Sequence, residues 1–184
     1  MLLKKHYIIT AITLGAIAAS SGLLIGATNL ITSNRIKENE ANKVIEGINS
    51  IFEGKTVQIK EEMTIEQAKE ESKVDSDFKY VTYLYSVVDE NQNELGMAIK
   101  TSGSNMYGKI ALIVGFDRTY QDFIKLSVIT NEQTYASTLE ENYINPLNEH
   151  DINQNDVNCG ATYGAKLIRD MIKEGQKAAE EFYN

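Results

Sequence analysis

The chain has very few of the residues from which metal centres and disulfides are built. Its 184 residues include one cysteine, Cys159, which excludes an intramolecular disulfide and a cysteine-based zinc or iron–sulfur site. Two histidines, His6 and His150, are too few for a histidine-rich metal site. No metal site is therefore predicted. The fold must depend on packing, and any redox chemistry must come from an organic cofactor.

Basic residues are also scarce, and this limits the classes of partner. The formal net charge is −8, and Lys4 and Lys5 are the only charged residues before Arg35, so the rest of the chain carries −10. Such a surface repels phosphate backbones, and no basic stripe with interleaved aromatic residues is present. Nucleic acid is therefore not an expected partner.

An uncharged and mostly apolar stretch runs from Ile8 to Ile31. As a helix, its 24 residues would be about 36 Å long, enough to cross a hydrocarbon core of about 30 Å. Residues 1–33 are therefore predicted to be a single-pass membrane anchor. A cleaved signal peptide is the alternative, because two lysines precede the stretch and Ala16-Ile17-Ala18 resembles a cleavage site. The apolar stretch continues well beyond that site, which favours the anchor.

The segment after the anchor, residues 34–54, is predicted to form a juxtamembrane helix. Apolar side chains recur there at spacings of three and four, and Gly54 supplies a stop. This apolar stripe consists of Ala41, Val44, Ile45, Ile48, Ile51 and Phe52. A short strand and a short helix are expected next, between Val57 and Lys73.

Residues 55–184 are predicted to form the remaining domain. Alternating apolar residues from Tyr80 onward predict an antiparallel meander of at least four strands. These strands are placed at Val81–Val87, Leu95–Ile99, Ile110–Phe116 and Phe123–Thr130, with a Gly/Ser/Asn-rich segment at Thr101–Gly108. About thirty polar, turn-rich residues follow, including the only proline, Pro146, and an amphipathic helix runs from about Tyr163 to Phe182. The predicted fold class is thus α+β: one transmembrane helix, an antiparallel sheet and a C-terminal helix.

A turn of small residues delivers a hydroxyl group to the start of this last helix. It reads Asp156-Val157-Asn158-Cys159-Gly160-Ala161-Thr162. A helix N-terminus has backbone N–H groups without partners and about half a positive charge, so it favours phosphate. Gly160 and Ala161 let a phosphate approach the backbone closely. An ordinary N-capping role for Thr162 is the alternative.

This turn resembles the Asp-x-x-(Ser/Thr)-Gly-Ala-Thr flavinylation motif of the FMN-binding domain family. In that family a flavin transferase, using FAD and Mg2+, esterifies the phosphate of FMN to the threonine hydroxyl. The resemblance implies covalent FMN on Thr162, with Asp156, Cys159, Gly160 and Ala161 completing the site. The order of elements is similar to that of the G subunit of Rnf-type ion-translocating ferredoxin:NAD oxidoreductases. The C subunit of sodium-translocating NADH:quinone reductases is a more distant likeness.

Two further segments are similar to this family. The turn containing Tyr107 and Gly108 resembles its Gly-Tyr-Gly turn, so both residues are expected to line the flavin pocket. The segment beginning at Asn131 corresponds to a His-x-Glu-Thr-Pro-Gly loop, in which Thr134 matches and Gln133 does not. Gly164 stands where the family often has a hydroxyl residue.

The resemblance implies a membrane-anchored electron carrier with its C-terminal domain outside the cytoplasm. Its partners would be other membrane subunits of an Rnf-type complex and, during maturation, the flavin transferase. No side chain is expected to act as an acid, base or nucleophile in turnover, so the chain would be a redox subunit rather than a complete enzyme. Two alternatives remain: a stand-alone extracytoplasmic flavin reductase, and a flavin-free anchored binding module, which Cys159 and Gln133 suggest.

Overall fold

The structure is a computed structural model that describes residues 13–15, 17–22, 38–73, 75–119 and 122–183. The chain divides into two compact units, Met1–Asn42 and Lys43–Asn184. The predicted boundaries at residues 33 and 54 stay predictions. The described part of the chain contains no helix of sufficient length and apolar character to cross a bilayer. Most of the predicted span, Ile8–Ile31, lies outside the described residues.

The larger unit is built around a five-stranded antiparallel sheet. Its strands lie in chain order, β1-β2-β3-β4-β5, so each strand pairs with its sequence neighbour. The strands are β1 (Gln58–Thr64), β2 (Val81–Val88), β3 (Glu94–Asn105), β4 (Gly108–Phe116) and β5 (Phe123–Asn131). The predicted α+β meander of at least four strands is confirmed, and β1 is the fifth.

Helices cover both faces of this sheet. Residues 38–51 form α1, and α2 (Ile65–Ser72) follows β1. After β5 come α3 (Ala136–Leu139), a π-helical segment (Glu140–Ile144) and α4 (Asn145–Asn148), and α5 (Thr162–Tyr183) ends the described chain. The short strand and helix expected between Val57 and Lys73 are β1 and α2.

One face of the sheet packs against α5, and the apolar stripe predicted for this helix is buried there. The stripe consists of Leu167, Ile168, Met171, Ile172 and Ala179, in the same cluster as Leu84, Ile99 and Leu112 of the sheet. The approach is close at Gly103 of β3, where an added Cβ would lie 2.9 Å from Leu167 Cδ1. Glycine at this position lets the helix lie directly on the strand.

The other face packs against α1. Val44, Ile48, Ile51 and Phe52 share a core cluster with Ala98, Ala111 and Ile113 of the sheet. Gly47 allows this contact, since a Cβ there would lie 3.1 Å from Ser127 Oγ. Ala41 and Ile45 are exposed, so the predicted stripe is wrong at these two positions.

The structure corrects two further predictions. Most of the Gly/Ser/Asn-rich segment placed between two strands, Thr101–Asn105, belongs to β3, which pairs with β4 as far as Asn105 and Gly108. The polar stretch after Thr130 is helical over residues 136–148, and Pro146 lies in the first turn of α4. Pro146 has no N–H to donate to the preceding turn, and it lies just after the π-helical segment, where the helical hydrogen bonding is irregular.

Candidate functional site

Thr162 is the first residue of α5. The first helical hydrogen bond runs from the Ala165 N–H to the Ala161 carbonyl at 3.1 Å. The N–H groups of the first turn therefore have no carbonyl one turn behind them, and the helix dipole adds positive potential at this end. Gly160 turns the chain into the helix with φ +83°, a conformation that favours glycine. The hydroxyl of Thr162 thus lies at an anion-favouring position.

Residues 153–160 form a partly exposed loop with its own hydrogen bonds, and Ala161 after it is buried. The Asp156 carboxylate accepts from the Asn153 N–H at 3.0 Å, and the Asn153 carbonyl accepts from the Asp156 N–H at 3.0 Å. Asp156 is therefore engaged in closing its own turn and does not line the cavity beside Thr162. Cys159 is partly buried and packs against the main core, as a small apolar residue would.

A cavity of about 280 Å³ opens beside the Thr162 hydroxyl. Its walls come from three parts of the chain: the β3–β4 turn, the segment from β5 into α3, and the start of α5. The lining residues are Tyr107, Gln133, Tyr135, Leu139, Gly160, Ala161, Thr162, Tyr163 and Gly164. The fold therefore brings the predicted motif together with the predicted Tyr107 turn.

Three tyrosine rings surround the mouth of this cavity. The ring of Tyr107 lies 5.8 Å from that of Tyr135 and 5.6 Å from that of Tyr163, measured between centroids. Tyr135 and Tyr163 are 53 % and 59 % exposed. Lys166 Nζ lies 6.0 Å from the centroid of the Tyr163 ring, one turn into α5. The cavity mouth thus presents aromatic surfaces with a cation beside them.

The loop after β5 is fastened to the β3–β4 turn by its side chains. Gln133 is only 7 % exposed, and its side-chain amide donates to the Gly108 carbonyl. The Thr134 hydroxyl and backbone N–H both donate to the Tyr107 carbonyl, at 3.1 and 2.8 Å. Gly108 has φ +133°, and a Cβ there would collide with the Glu132 backbone. Gly108 and Thr134 therefore support the cavity wall without lining it.

Four of the eight predicted site residues line the cavity: Tyr107, Gly160, Ala161 and Thr162. The sequence analysis did not predict the roles of Gln133, Tyr135, Leu139 and Tyr163. For Gln133, the sequence indicated only a difference from the pattern of the FMN-binding domain family. Leu139 belongs to a stripe with Tyr143 and Leu147 at spacings of four, which could have indicated the helical run.

The described residues contain no cluster of three or more His, Cys, Asp or Glu side chains that could hold a metal ion. The lining of the cavity provides the Thr162 hydroxyl, a helix N-terminus, the Gln133 amide and three tyrosine side chains. This set suits a ligand with an anionic group and a planar body.

Comparison with known protein families gives a match in the N-terminal region. Residues 1–51 match the family model described as the RnfG N-terminal region. No curated protein and no solved structure matches the chain. The matched segment includes the predicted anchor and α1 and ends before β1, so it does not include Thr162. In its N-terminal region the chain is thus similar to the RnfG subunit of Rnf-type electron-transport complexes.

Proposed function

We propose that the chain is a membrane-anchored electron-transfer subunit of an Rnf-type complex, with FMN joined to Thr162 by a phosphoester. Two independent features support this. The N-terminal 51 residues resemble RnfG, and the motif at the start of α5, more than a hundred residues later, resembles a flavinylation site. The single observation that carries the proposal is the Thr162 hydroxyl at a helix N-terminus beside an aromatic-rimmed cavity.

The residues at the site fit FMN. An esterified phosphate at Thr162 would lie at the first-turn N–H groups of α5, and Lys166 adds a positive charge one turn into the helix. The cavity of about 280 Å³ is slightly smaller than ligand pockets usually are, about 300 to 1,000 Å³, so part of the ring system would remain outside it. Tyr107, Tyr135 and Tyr163 offer ring surfaces at that mouth, where an isoalloxazine can pack.

The attachment reaction is a group transfer and requires no oxidant or reductant. The Thr162 oxygen forms a bond to the phosphorus of the FMN half of FAD, the pyrophosphate bond breaks, and AMP leaves. The hydroxyl proton passes to the leaving phosphate or to solvent. The flavin transferase and Mg2+ supply the catalysis, so this chain needs only to present the hydroxyl.

In turnover, the bound flavin supplies one- and two-electron chemistry, and the protein supplies attachment and orientation. Thr162 fixes one end, and the three tyrosines limit the positions of the other. The electron partners would be membrane subunits of the complex, and the domain would lie outside the cytoplasm. A covalent bond suits that compartment because a dissociated cofactor would be lost.

The test is the intact mass of the full chain extracted from its native membrane. We expect the mass of one esterified FMN, fluorescence in a denaturing gel, and loss of both in Thr162→Ala. Thr162→Ser keeps a hydroxyl at the same place and is the matched control, because it should retain some flavin. Unmodified wild-type protein from cells that contain the transferase would contradict the proposal and favour the flavin-free module.

The stand-alone flavin reductase is distinguished by activity. Purified, flavin-loaded protein that reduces a quinone or soluble acceptor at a catalytic rate without other subunits would support that alternative. A carrier subunit should instead take up electrons once and turn over only after its partner subunits are added.

A further inference from the structure

The π-helical segment Glu140–Ile144 lies beneath the loop that leads to Thr162. Two consecutive side chains of this segment reach the loop. The Tyr143 hydroxyl donates to the Gln154 carbonyl at 2.6 Å, and the Asn142 amide donates to the Cys159 carbonyl at 3.2 Å. These bonds hold the loop near its two ends; the Tyr143 bond is partly buried and the Asn142 bond is exposed.

Tyr143 is the stronger of the two attachments. Its side chain is fully buried in the main core, and burial raises the pKa of its hydroxyl well above the ordinary value. The charge of Arg169 lowers this pKa in part, whereas Cys159, Asp156 and Asp170 raise it further. The Tyr143 hydroxyl therefore stays protonated under physiological conditions and remains a hydrogen-bond donor to the loop.

Apart from these two attachments, the loop is held by local hydrogen bonds and by partial packing. Asp156, Asn158 and Gly160 are exposed, while Val157 and Cys159 pack only partly against the core. The remaining bonds are local: they close the turn between Asn153 and Asp156 and join the Val157 N–H to the Asn155 carbonyl and the Cys159 N–H to the Val157 carbonyl. π-helical turns are rare and occur frequently at functional sites. The position of one beneath the motif loop therefore suggests a role for it in the function of that loop.

We propose that Tyr143 and Asn142 are positioning residues for the attachment of flavin to Thr162. This inference rests on the proposed function. The two side chains hold residues 153–160 in the shape that the flavin transferase recognises, and neither touches the reacting atoms. Without them the loop would adopt the competent shape only part of the time. The apparent affinity of the transferase for the chain would fall by that fraction.

The expected effect is therefore on KM for the chain and not on kcat. The variants are Tyr143→Phe, which keeps the buried ring, and Asn142→Ala. In each, loss of one hydrogen bond should raise KM about three- to tenfold and leave kcat within about twofold of wild type. The assay uses the full chain in detergent with purified transferase, FAD and Mg2+, and follows initial rates by fluorescence in denaturing gels.

Asn148→Ala is the matched control. Asn148 also donates its amide to a backbone carbonyl from the same helical run, but to Leu126 of β5 rather than to the motif loop. It should lower stability to a similar extent with no change in KM. A rise in KM with Asn148→Ala equal to that of the test variants would overturn the inference, because the effect would then be general destabilisation.

A second measurement does not depend on flavin. Hydrogen exchange of the backbone amides of residues 153–160, in a Thr162→Ala background, should become faster in Tyr143→Phe and stay unchanged in Asn148→Ala. Normal KM values with unchanged exchange would overturn the inference while leaving flavinylation intact. A wild-type chain that accepts no flavin would instead refute the proposed function, and the positioning role with it.

Discussion

The side chain of Asn148 pairs with both backbone groups of Leu126. Its Oδ1 accepts from the Leu126 N–H at 2.8 Å, and its Nδ2 donates to the Leu126 carbonyl at 2.9 Å. Leu126 lies on β5, an outer strand of the sheet. At Leu126 the Asn148 amide therefore makes the two backbone hydrogen bonds that a sixth strand would make. These bonds protect part of the outer edge of β5 from pairing with other chains.

Replacing Asn148 tests this pairing. Asn148→Ala should lower the free energy of unfolding by about 1 to 3 kcal/mol, because both Leu126 groups lose their partner. Asn148→Asp keeps an acceptor and loses the donor, so it should fall between wild type and alanine. Urea unfolding followed by circular dichroism measures both. Equal stability of Asn148→Ala and wild type would mean that water replaces the amide at no cost.

Glu174 of α5 forms a comparable attachment at the start of β2. Its carboxylate oxygen accepts from the backbone N–H groups of Tyr80 and Val81, at 2.5 and 3.0 Å. Hydrogen bonds to a charged group contribute about 1.5 to 3 kcal/mol, so Glu174→Ala should be clearly destabilising in the same assay. Glu174→Gln retains an acceptor oxygen and should lose less. Identical losses for Gln and Ala would show that only the negative charge matters.

Gly164 has no room for a side chain. A Cβ there would lie 2.8 Å from Leu139 Cδ2 and 3.4 Å from Gln133 Oε1. Gly164→Ser, which introduces the hydroxyl that the family often has, should therefore cost about 1 to 3 kcal/mol through overpacking. Combining it with Leu139→Val should recover part of that cost. The check is a double-mutant cycle of unfolding free energies, and strict additivity would show that the two sites do not contact.

Three buried phenols predict a loss of stability at alkaline pH. Burial raises the pKa of Tyr85 and of Tyr143 well above the ordinary value of about 10, and raises the pKa of Tyr183 to about 12. The unfolded chain releases these protons from about pH 10, while the folded chain keeps them to higher pH. Stability should thus be constant below about pH 10 and fall above it.

Each fully buried tyrosine can contribute a slope of up to about 1.4 kcal/mol per pH unit. Denaturant midpoints between pH 8 and 11.5 measure the decline, and absorbance of the phenolate reports the titration. Tyr143→Phe should reduce the slope, whereas Tyr135→Phe, at a half-exposed ring, should not. The same slope in all three proteins would contradict the assignment.

The sequence predicted the meander and the last helix because their apolar periodicity is strong. Tyr83, Tyr85 and Val87 share one face of β2, and the stripe from Leu167 to Ala179 follows the helical period through α5. A register shift between Val81 and Tyr83 places Val81 in the cluster on the other face. The prediction from sequence failed at the end of β3, because Gly103 resembles a turn residue. That glycine is required by the close approach of Leu167, a tertiary contact that local composition does not reveal.

The candidate site was predictable only in part, because tertiary structure brings together residues that are distant in the sequence. The motif identified Thr162 and its neighbours along the chain. Gln133, Tyr135 and Leu139 reach the same cavity from a segment that had been interpreted as a polar loop. Their helical stripe is short and is interrupted by Glu, Asn and the single proline, so its period was obscured. Neither Tyr143 nor Asn142 could be linked to the motif without the π-helical turn.

The place of α5 in the chain has a consequence for the timing of modification. This helix follows all five strands, yet it covers one face of the sheet and begins at Thr162. During synthesis from the N-terminus, that face is covered only in part, by α2 and the helical run 136–148, until α5 emerges and docks. A transferase that requires the completed helix start would act only on finished molecules. Only molecules that had folded completely would then carry the esterified hydroxyl.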